Sequence, residues 1–210
     1  MINSSNIILP CVYLGPIQWY SKLLLHPEIL IDQHENYVKQ TWRNRCRIVG
    51  ANGIQDLVIP IHLAGNHTPM NDVKINYDGI WQRQHWQSIR SAYGNSPFFD
   101  FYADYFSPFY ESTRWENLID YNSEILSITI RLLKLDVKIS LTDEYFDAKD
   151  NATDFRKIIS PKKTIEEDSD FSPKRYVQVF EERHGFIPNL SVIDLLCCCG
   201  SASKEIIVSH

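Results

Sequence analysis

The order of the first elements constrains this chain most. Ile7-Ile8-Leu9 is an apolar run closed by Pro10, Ile17 to Leu25 is long enough for a helix, and Glu28 to Asp32 reads as a second short strand. This is a β-α-β order, with a connection that is short for a parallel crossover.

The next signals are local. Two extended segments between Thr41 and His62 flank Gly50-Ala51-Asn52-Gly53, where Asn-Gly supplies the positive φ of a hairpin turn, and Leu57, Ile59 and Ile61 alternate as on a half-buried strand. Val73, Ile75 and Tyr77 alternate again, and Asp78 is placed to cap a helix from about Ile80 to Tyr93. Pro97 opens an aromatic-rich helical stretch. Between Trp115 and Leu135, Leu118, Ile119, Ile125, Leu126, Ile130 and Leu133 recur at helical spacing, and Lys138 to Leu141 reads as a returning strand. Ser160 to Pro173 mixes Pro, Ser, Lys and an acidic run, as an exposed loop does. Near the end, Gly185 and Pro188 mark a turn, and Asn189 or Ser191 can cap a short apolar helix.

These elements predict an α/β fold, with α+β as the alternative: a mixed sheet with an N-terminal β-α-β unit, a β-hairpin and packed helices. With 210 residues, 44% of them hydrophobic, the chain is long enough to bury a core as a single domain over residues 1–210, interrupted by the loop at 160–173. The formal charge of −5 argues against a nucleic-acid or anionic-membrane partner. Met1 to Asn6 lack the pattern of a leader, and nowhere do about 18 apolar residues run together, so a cytoplasmic chain without an integral membrane segment is expected. The five cysteines form no metal-ligand or disulfide spacing and read as reduced thiols, and no metal site is indicated.

Four blocks, "LPCVYLGPIQWYSKLL", "HENYVKQTWRNRCRIVGANG", "WQRQHWQSIRSAYGNSPFFDFY" and "YVQVFEERHGFIPNLSVIDLL", with "FRKIISPK" before the acidic loop, resemble the motifs of the WbqC-like family in order and spacing. Members usually continue the last block with Asn and Gly, where this chain has Cys197-Cys198-Cys199-Gly200. The resemblance implies a role in bacterial surface-polysaccharide (O-antigen type, lipopolysaccharide) or modified-sugar biosynthesis, an association that rests on genomic setting. It carries over no settled reaction and no cofactor.

Candidate site residues follow from the side chains. On an alternating strand Arg43, Arg45 and Arg47 share one face and Trp42, Asn44 and Cys46 the other; guanidinium forks suit the diphosphate of a nucleotide-sugar, against the bland reading of a solvated basic face. The preceding stretch Asp32 to Lys39 follows a short strand, where α/β folds present ligands; Asp32 or Glu35 is a candidate general base and Lys39 a candidate substrate contact, against a polar surface loop. His85 lies on the apolar side of its helix, as a proton-transfer catalyst or a satisfied core histidine. His184 and Asn189 flank a glycine turn and a helix start that can attract an anion, or cap it. Asn122 interrupts an apolar stripe and reads as a structural link. Arg156 and Lys162 border the charged loop and either close over an anionic substrate or balance Glu166, Glu167 and Asp168. Cys11 beside His85 or His184 would make a thiol acyltransferase, against a core cysteine.

The expectation for function is a transferase acting on an activated sugar, by acyl or aminoacyl transfer, with an anionic small molecule such as a nucleotide-sugar as its ligand. Two alternatives stand: a non-catalytic ligand-binding or scaffolding protein of a polysaccharide pathway, and a nucleotidyltransferase-like enzyme. The second draws on the β-α-β start but lacks the paired histidines that such enzymes place there.

Overall fold

The computed structural model describes residues 7–26, 28–62, 65, 67–146 and 153–208; the Met1 to Asn6 stretch lies outside them. The fold is mixed α/β. β1 (Ile7–Leu9), α1 (Ile17–Leu25) and β2 (Glu28–Ile31) form the predicted unit, the strands pairing parallel with Ile7 opposite Ile29. β5 (Lys138–Leu141) joins β2 and β6 (Thr153–Asp154) joins β1, both parallel, giving the order β5-β2-β1-β6. β1 is buried throughout, as a central parallel strand must be.

The turn between β1 and α1 is tight. Leu14 sits at φ 41°, and a Cβ at Gly15 would come within 2.7 Å of Val12, so only glycine fits there.

A separate two-stranded sheet is built by β3 (Arg45–Gly50) and β4 (Gly53–Val58), antiparallel as the hairpin signal predicts; the turn residues are Ala51-Asn52, and the positive φ falls on Gly53 (102°), already paired with Gly50, and not on Asn52. Pro60 has no amide donor, and beyond Val58 the extended chain is held by Ile59 bonding to Asn44 and by an isolated bridge from Ile61 to Ile75. Leu57 of the first alternating pattern thus lies in β4, while Ile59, Ile61 and the Val73-Ile75-Tyr77 pattern run on as extended chain outside the named strands.

Helices cover the sheets: α2 (Trp81–Tyr93), α3 (Phe99–Glu111), α4 (Leu118–Leu132), α5 (Glu181–His184), α6 (Val192–Cys199) and α7 (Ser203–Val208). Asp78 does not cap α2; Ile80 occupies that position, and the amide of Asp78 is held by Asn76 Oδ1. α4 ends with Lys134 at φ 53° and the Leu135 amide bonded back to the Ile130 carbonyl, a Schellman-type stop one turn inside the predicted boundary. Ser191, not Asn189, caps α6.

The 160–173 segment is mostly exposed, but it is pinned: Asp168 and Phe171 are buried, and Asp168 is ion-paired with the fully buried Lys22 of α1 at 2.7 Å.

Candidate functional site

The C-terminal ends of β2, β5, β6 and the chain after β1 converge on one edge of the parallel sheet, where open α/β sheets bind ligands. Asp32, the residue after β2, is fully buried. Its Oδ1 accepts the amides of His34 (2.9 Å) and Glu35 (3.1 Å) and the hydroxyl of Thr142 just past β5 (3.0 Å). That pattern folds the chain after β2 back on itself and aims Glu35 toward the next segment.

Glu35 meets Arg43 in a two-pronged pair: Arg43 Nε donates to Oε1 at 2.9 Å and Nη2 to Oε2. Arg156, from the stretch after β6, bridges the other carboxylates, with Nη1 on Asp32 Oδ2 and Nε and Nη2 on Asp154 at 3.0 and 2.9 Å, and Nη2 also donates to the Phe146 carbonyl. Asp32, Glu35 and Asp154 thus face two guanidiniums, leaving one negative charge in excess. Beside the network opens a cavity of about 410 Å³ lined by Glu35, Thr41, Arg43, Tyr145, Arg156 and Lys157, among others.

The carboxylates differ electrostatically. Burial raises the pKa of Glu35 above the ordinary glutamate value, and Asp32 adds to the rise, although Arg43 opposes it. For Asp154 burial is outweighed by Arg156, which holds its carboxyl below the usual range. Of the acids at the cavity wall, Glu35 is the one whose environment favours taking up a proton.

The structure separates the other expected site residues. Arg43 lies ahead of β3 and is buried, so the three-arginine strand face does not form. Arg45 and Arg47 do share a face, but both are held by Asp56 of β4, Arg45 through Nη1 at 2.9 Å and Arg47 through Nε and Nη2 at 2.8 and 3.2 Å. Facing opposite charges stabilise the strand pair, so these two guanidiniums are engaged within the hairpin. Asn44 faces inward and donates to the Ile59 carbonyl at 2.8 Å. Lys39 is exposed beyond the cavity wall.

His85 lines a different cavity, between the hairpin and α2, away from Glu35. Its Nδ1 is 3.1 Å from the Tyr13 hydroxyl, which in turn meets Tyr110 at 2.8 Å, and burial lowers its pKa to about 4 although the Val58 backbone opposes this. This is the geometry of a satisfied core histidine. His184 reaches the Ala51 carbonyl at the hairpin tip (3.1 Å). Asn189 Oδ1 accepts the Gln18 amide at 2.9 Å and so caps α1 from a distance; with Ile17 bonded to Leu190 and Trp19 to Pro16, the amides that open α1 are occupied by protein. That arrangement leaves the nucleotidyltransferase-like reading no phosphate cradle at this helix start.

Asn122 is the link its position suggests: its amide donates to Cys11 Sγ (3.1 Å) and the Arg43 carbonyl (2.8 Å). Cys11 is buried, and burial pushes its thiol up to about 12 even though Asn122 pulls it down, so it is no activated nucleophile. Arg156 balances Asp32 and Asp154, not the acidic run; Lys162 is exposed, and its neighbour Lys163 pairs with Glu167. Asp154, Thr142 and Tyr145 escaped the sequence reading because only the fold carries the ends of β5 and β6 to β2. The "FRKIISPK" block was the signal that could have drawn attention to that end.

Among the described residues no group of three or more His, Cys, Asp or Glu is placed to hold a metal ion, and no helix is long and apolar enough to cross a membrane.

An α/β chain with a charged cavity at the C-terminal edge of its parallel strands is the class that fold and site define. The chain belongs to the WbqC-like protein family, whose model matches residues 12–175 and so spans the Asp32–Glu35–Arg43–Arg156 network. The block from Tyr176 to Leu196 lies beyond that match. The chain is also similar to the "Uncharacterized protein Rv1507c" of Mycobacterium tuberculosis (strain ATCC 25618 / H37Rv), 25% identical, covering 85% of this chain and 86% of the relative. No solved structure matches it.

Proposed function

We propose that the cavity beside Glu35 binds an activated sugar, such as a nucleotide-sugar, and that the chain transfers an acyl or aminoacyl group to a hydroxyl or amine of that sugar in bacterial surface-polysaccharide or modified-sugar biosynthesis. The observation that carries this reading is Glu35: a buried carboxylate of raised proton affinity on the cavity wall, fixed by Arg43, is suited to accept the proton that a sugar hydroxyl or amine gives up as it attacks the carbonyl of an acyl-thioester, whose C–S bond breaks and whose thiolate leaves with that proton. Arg43 sets the carboxylate's orientation, and Lys157 and the remaining edge of Arg43 are the cationic groups available to a phosphate. The WbqC-like resemblance supports the pathway, and a cytoplasmic location goes with a nucleotide-sugar substrate.

The test incubates the full chain with nucleotide-sugars bearing free amines or hydroxyls and with acyl-thioester donors, and follows product mass. Wild type is expected to form an acylated sugar, and Glu35→Gln, checked to be folded, to lose at least about 100-fold in rate, the low end for general-base catalysis. Unchanged turnover in a folded Glu35→Gln variant overturns the role of Glu35.

A second reading, ligand binding without turnover, draws on the occupied donors of Arg43 and Arg156, each already committed to a carboxylate. Saturable nucleotide-sugar binding in both wild type and Glu35→Gln, with no product from any donor, would favour it.

A further inference from the structure

Independently of the Glu35 cavity, the hairpin carries an unfinished edge. β4 is the outer strand of its two-stranded sheet, paired with β3 from Gly50 opposite Gly53 to Arg45 opposite Val58. An antiparallel ladder alternates, so with the turn closed at Gly50 and Gly53 the inward bonds are made by Gln55 and Leu57, while the amides and carbonyls of Ile54, Asp56 and Val58 turn away from β3. His85, on the α2 side, faces the Val58 backbone and draws on its carbonyl, so the outward groups left to a partner are the amides of Ile54, Asp56 and Val58 and the carbonyls of Ile54 and Asp56. Among the described residues, no hydrogen-bond acceptor meets the backbone N–H of Ile54, Asp56 or Val58.

This edge forms one wall of a groove of about 860 Å³ whose other wall is α2, through Gln84, Gln87, Ser88 and Ser91. Natural edge strands are usually blunted by lysine, proline or a bulge. β4 has none of these, and it exposes Ile54 (56%) and Val58 (37%).

The geometry points to a docking groove for an extended peptide segment of another protein, added as a third strand to the hairpin. Side chains of an added strand alternate between its faces. On the face of Ile54, Asp56 and Val58, two apolar residues would meet Ile54 and Val58. An acidic residue between them would meet the Arg45–Asp56–Arg47 cluster, which has one positive charge in excess and in which Arg45 Nε is buried without an acceptor. On the other face, toward the amides and hydroxyls of α2, small uncharged side chains fit. The pattern is apolar-x-acidic-x-apolar.

The groove suits a peptide better than a glycan, because its repeating feature is a row of backbone donors and acceptors and no Trp, Tyr or Phe lines it to stack on a sugar ring. It suits a peptide better than a second copy, because α2 flanks the edge and a strand bringing its own covering helix would meet α2 before it paired.

The test pans a phage-displayed random heptapeptide library on the full chain and measures the enriched peptides by fluorescence polarisation against wild type and Ile54→Pro. Proline there removes an outward amide and leaves the ladder to β3 intact; circular dichroism checks that the variant folds. Expected are peptides of the apolar-x-acidic-x-apolar pattern that lose at least about tenfold in affinity on Ile54→Pro, on exchange of their acid for lysine, and on N-methylation of the amides facing β4. Failure of the library to enrich, or equal binding to a folded Ile54→Pro variant, overturns the proposal. So does a wild-type dimer in light scattering that Ile54→Pro dissolves, which would assign the edge to a second copy.

Discussion

Arg43 and Glu35 hold each other in a buried, two-pronged ion pair, eight residues apart in sequence and both at the cavity wall. Such a pair is costly to break from one side, because the surviving charge stays buried without a partner. Arg43→Ala should therefore destabilise the fold by about 3–5 kcal/mol. Arg45→Ala should cost under about 1 kcal/mol, since its pair with Asp56 is partly solvated and Arg47 remains on the same carboxylate. Urea unfolding of the two variants checks this: equal losses would mean that the network is not organised as described.

That contrast also shows what sequence alone could deliver. Strand alternation placed Arg45 and Arg47 on one face, as found, but extended the strand back to Arg43, where the chain is still turning and where Asn122 of α4 holds the Arg43 carbonyl. Periodicity has no access to a contact across 79 residues. The β-α-β unit, the hairpin and α4 were legible because each is set by local pattern. Asp32 and Glu35 were legible as residues following a strand, but Arg156, the partner of Asp32, comes from 124 residues further on, and the pairing of β6 with β1, strands far apart in sequence, brings it there.

His85 and Asp194 give opposite pH signatures. Burial depresses the imidazole from 6.5 to about 4, so between those values the unfolded chain binds the extra proton and stability is lost as pH falls. Asp194, buried beside the Tyr176 hydroxyl, is raised from 3.8 to about 6, so the folded chain holds the extra proton and stability is lost as pH rises through that window. Each is worth on the order of 3 kcal/mol and they oppose each other between about pH 4 and 6. Relative to wild type, Asp194→Asn should make stability climb more steeply with pH over this window, and His85→Gln should tilt the dependence the other way. Urea midpoints at pH 4, 5 and 6 read both; parallel curves for wild type and both variants would dismiss the assignment.

The thiols should be inert. Burial pushes Cys11 to about 12 and Cys199 to about 11, and raises Cys46, Cys197 and Cys198 further. With iodoacetamide at pH 8, the native chain should remain unlabelled at Cys11 over a time in which urea-unfolded protein takes up five equivalents, one for each cysteine. Cys11→Ser should retain whatever transfer activity the wild type shows. Rapid native labelling of Cys11, located by peptide mass, would reopen the thiol route.

Lys22 and Asp168 tie the 160–173 segment to α1 through an ion pair with side chains 0% and 2% exposed, supported by Gln18 Nε2 on Asp168 Oδ2 at 2.8 Å and by the Phe155 ring 4.8 Å beneath the ammonium. An ammonium so deeply placed depends on that carboxylate. Asp168→Ala should therefore cost about 3–5 kcal/mol, whereas Lys22→Met with Asp168→Leu, which replaces both charges by apolar volume, should cost much less. The loop itself supplies the second readout. Its exposed lysines, Lys162 and Lys163, should become trypsin sites in Asp168→Ala well before the body of the chain is cut, because the anchor at Asp168 is what holds the segment against α1. Cleavage at the same rate in wild type, Asp168→Ala and the double variant would show that Phe171 and the neighbouring turns fasten the loop without the ion pair.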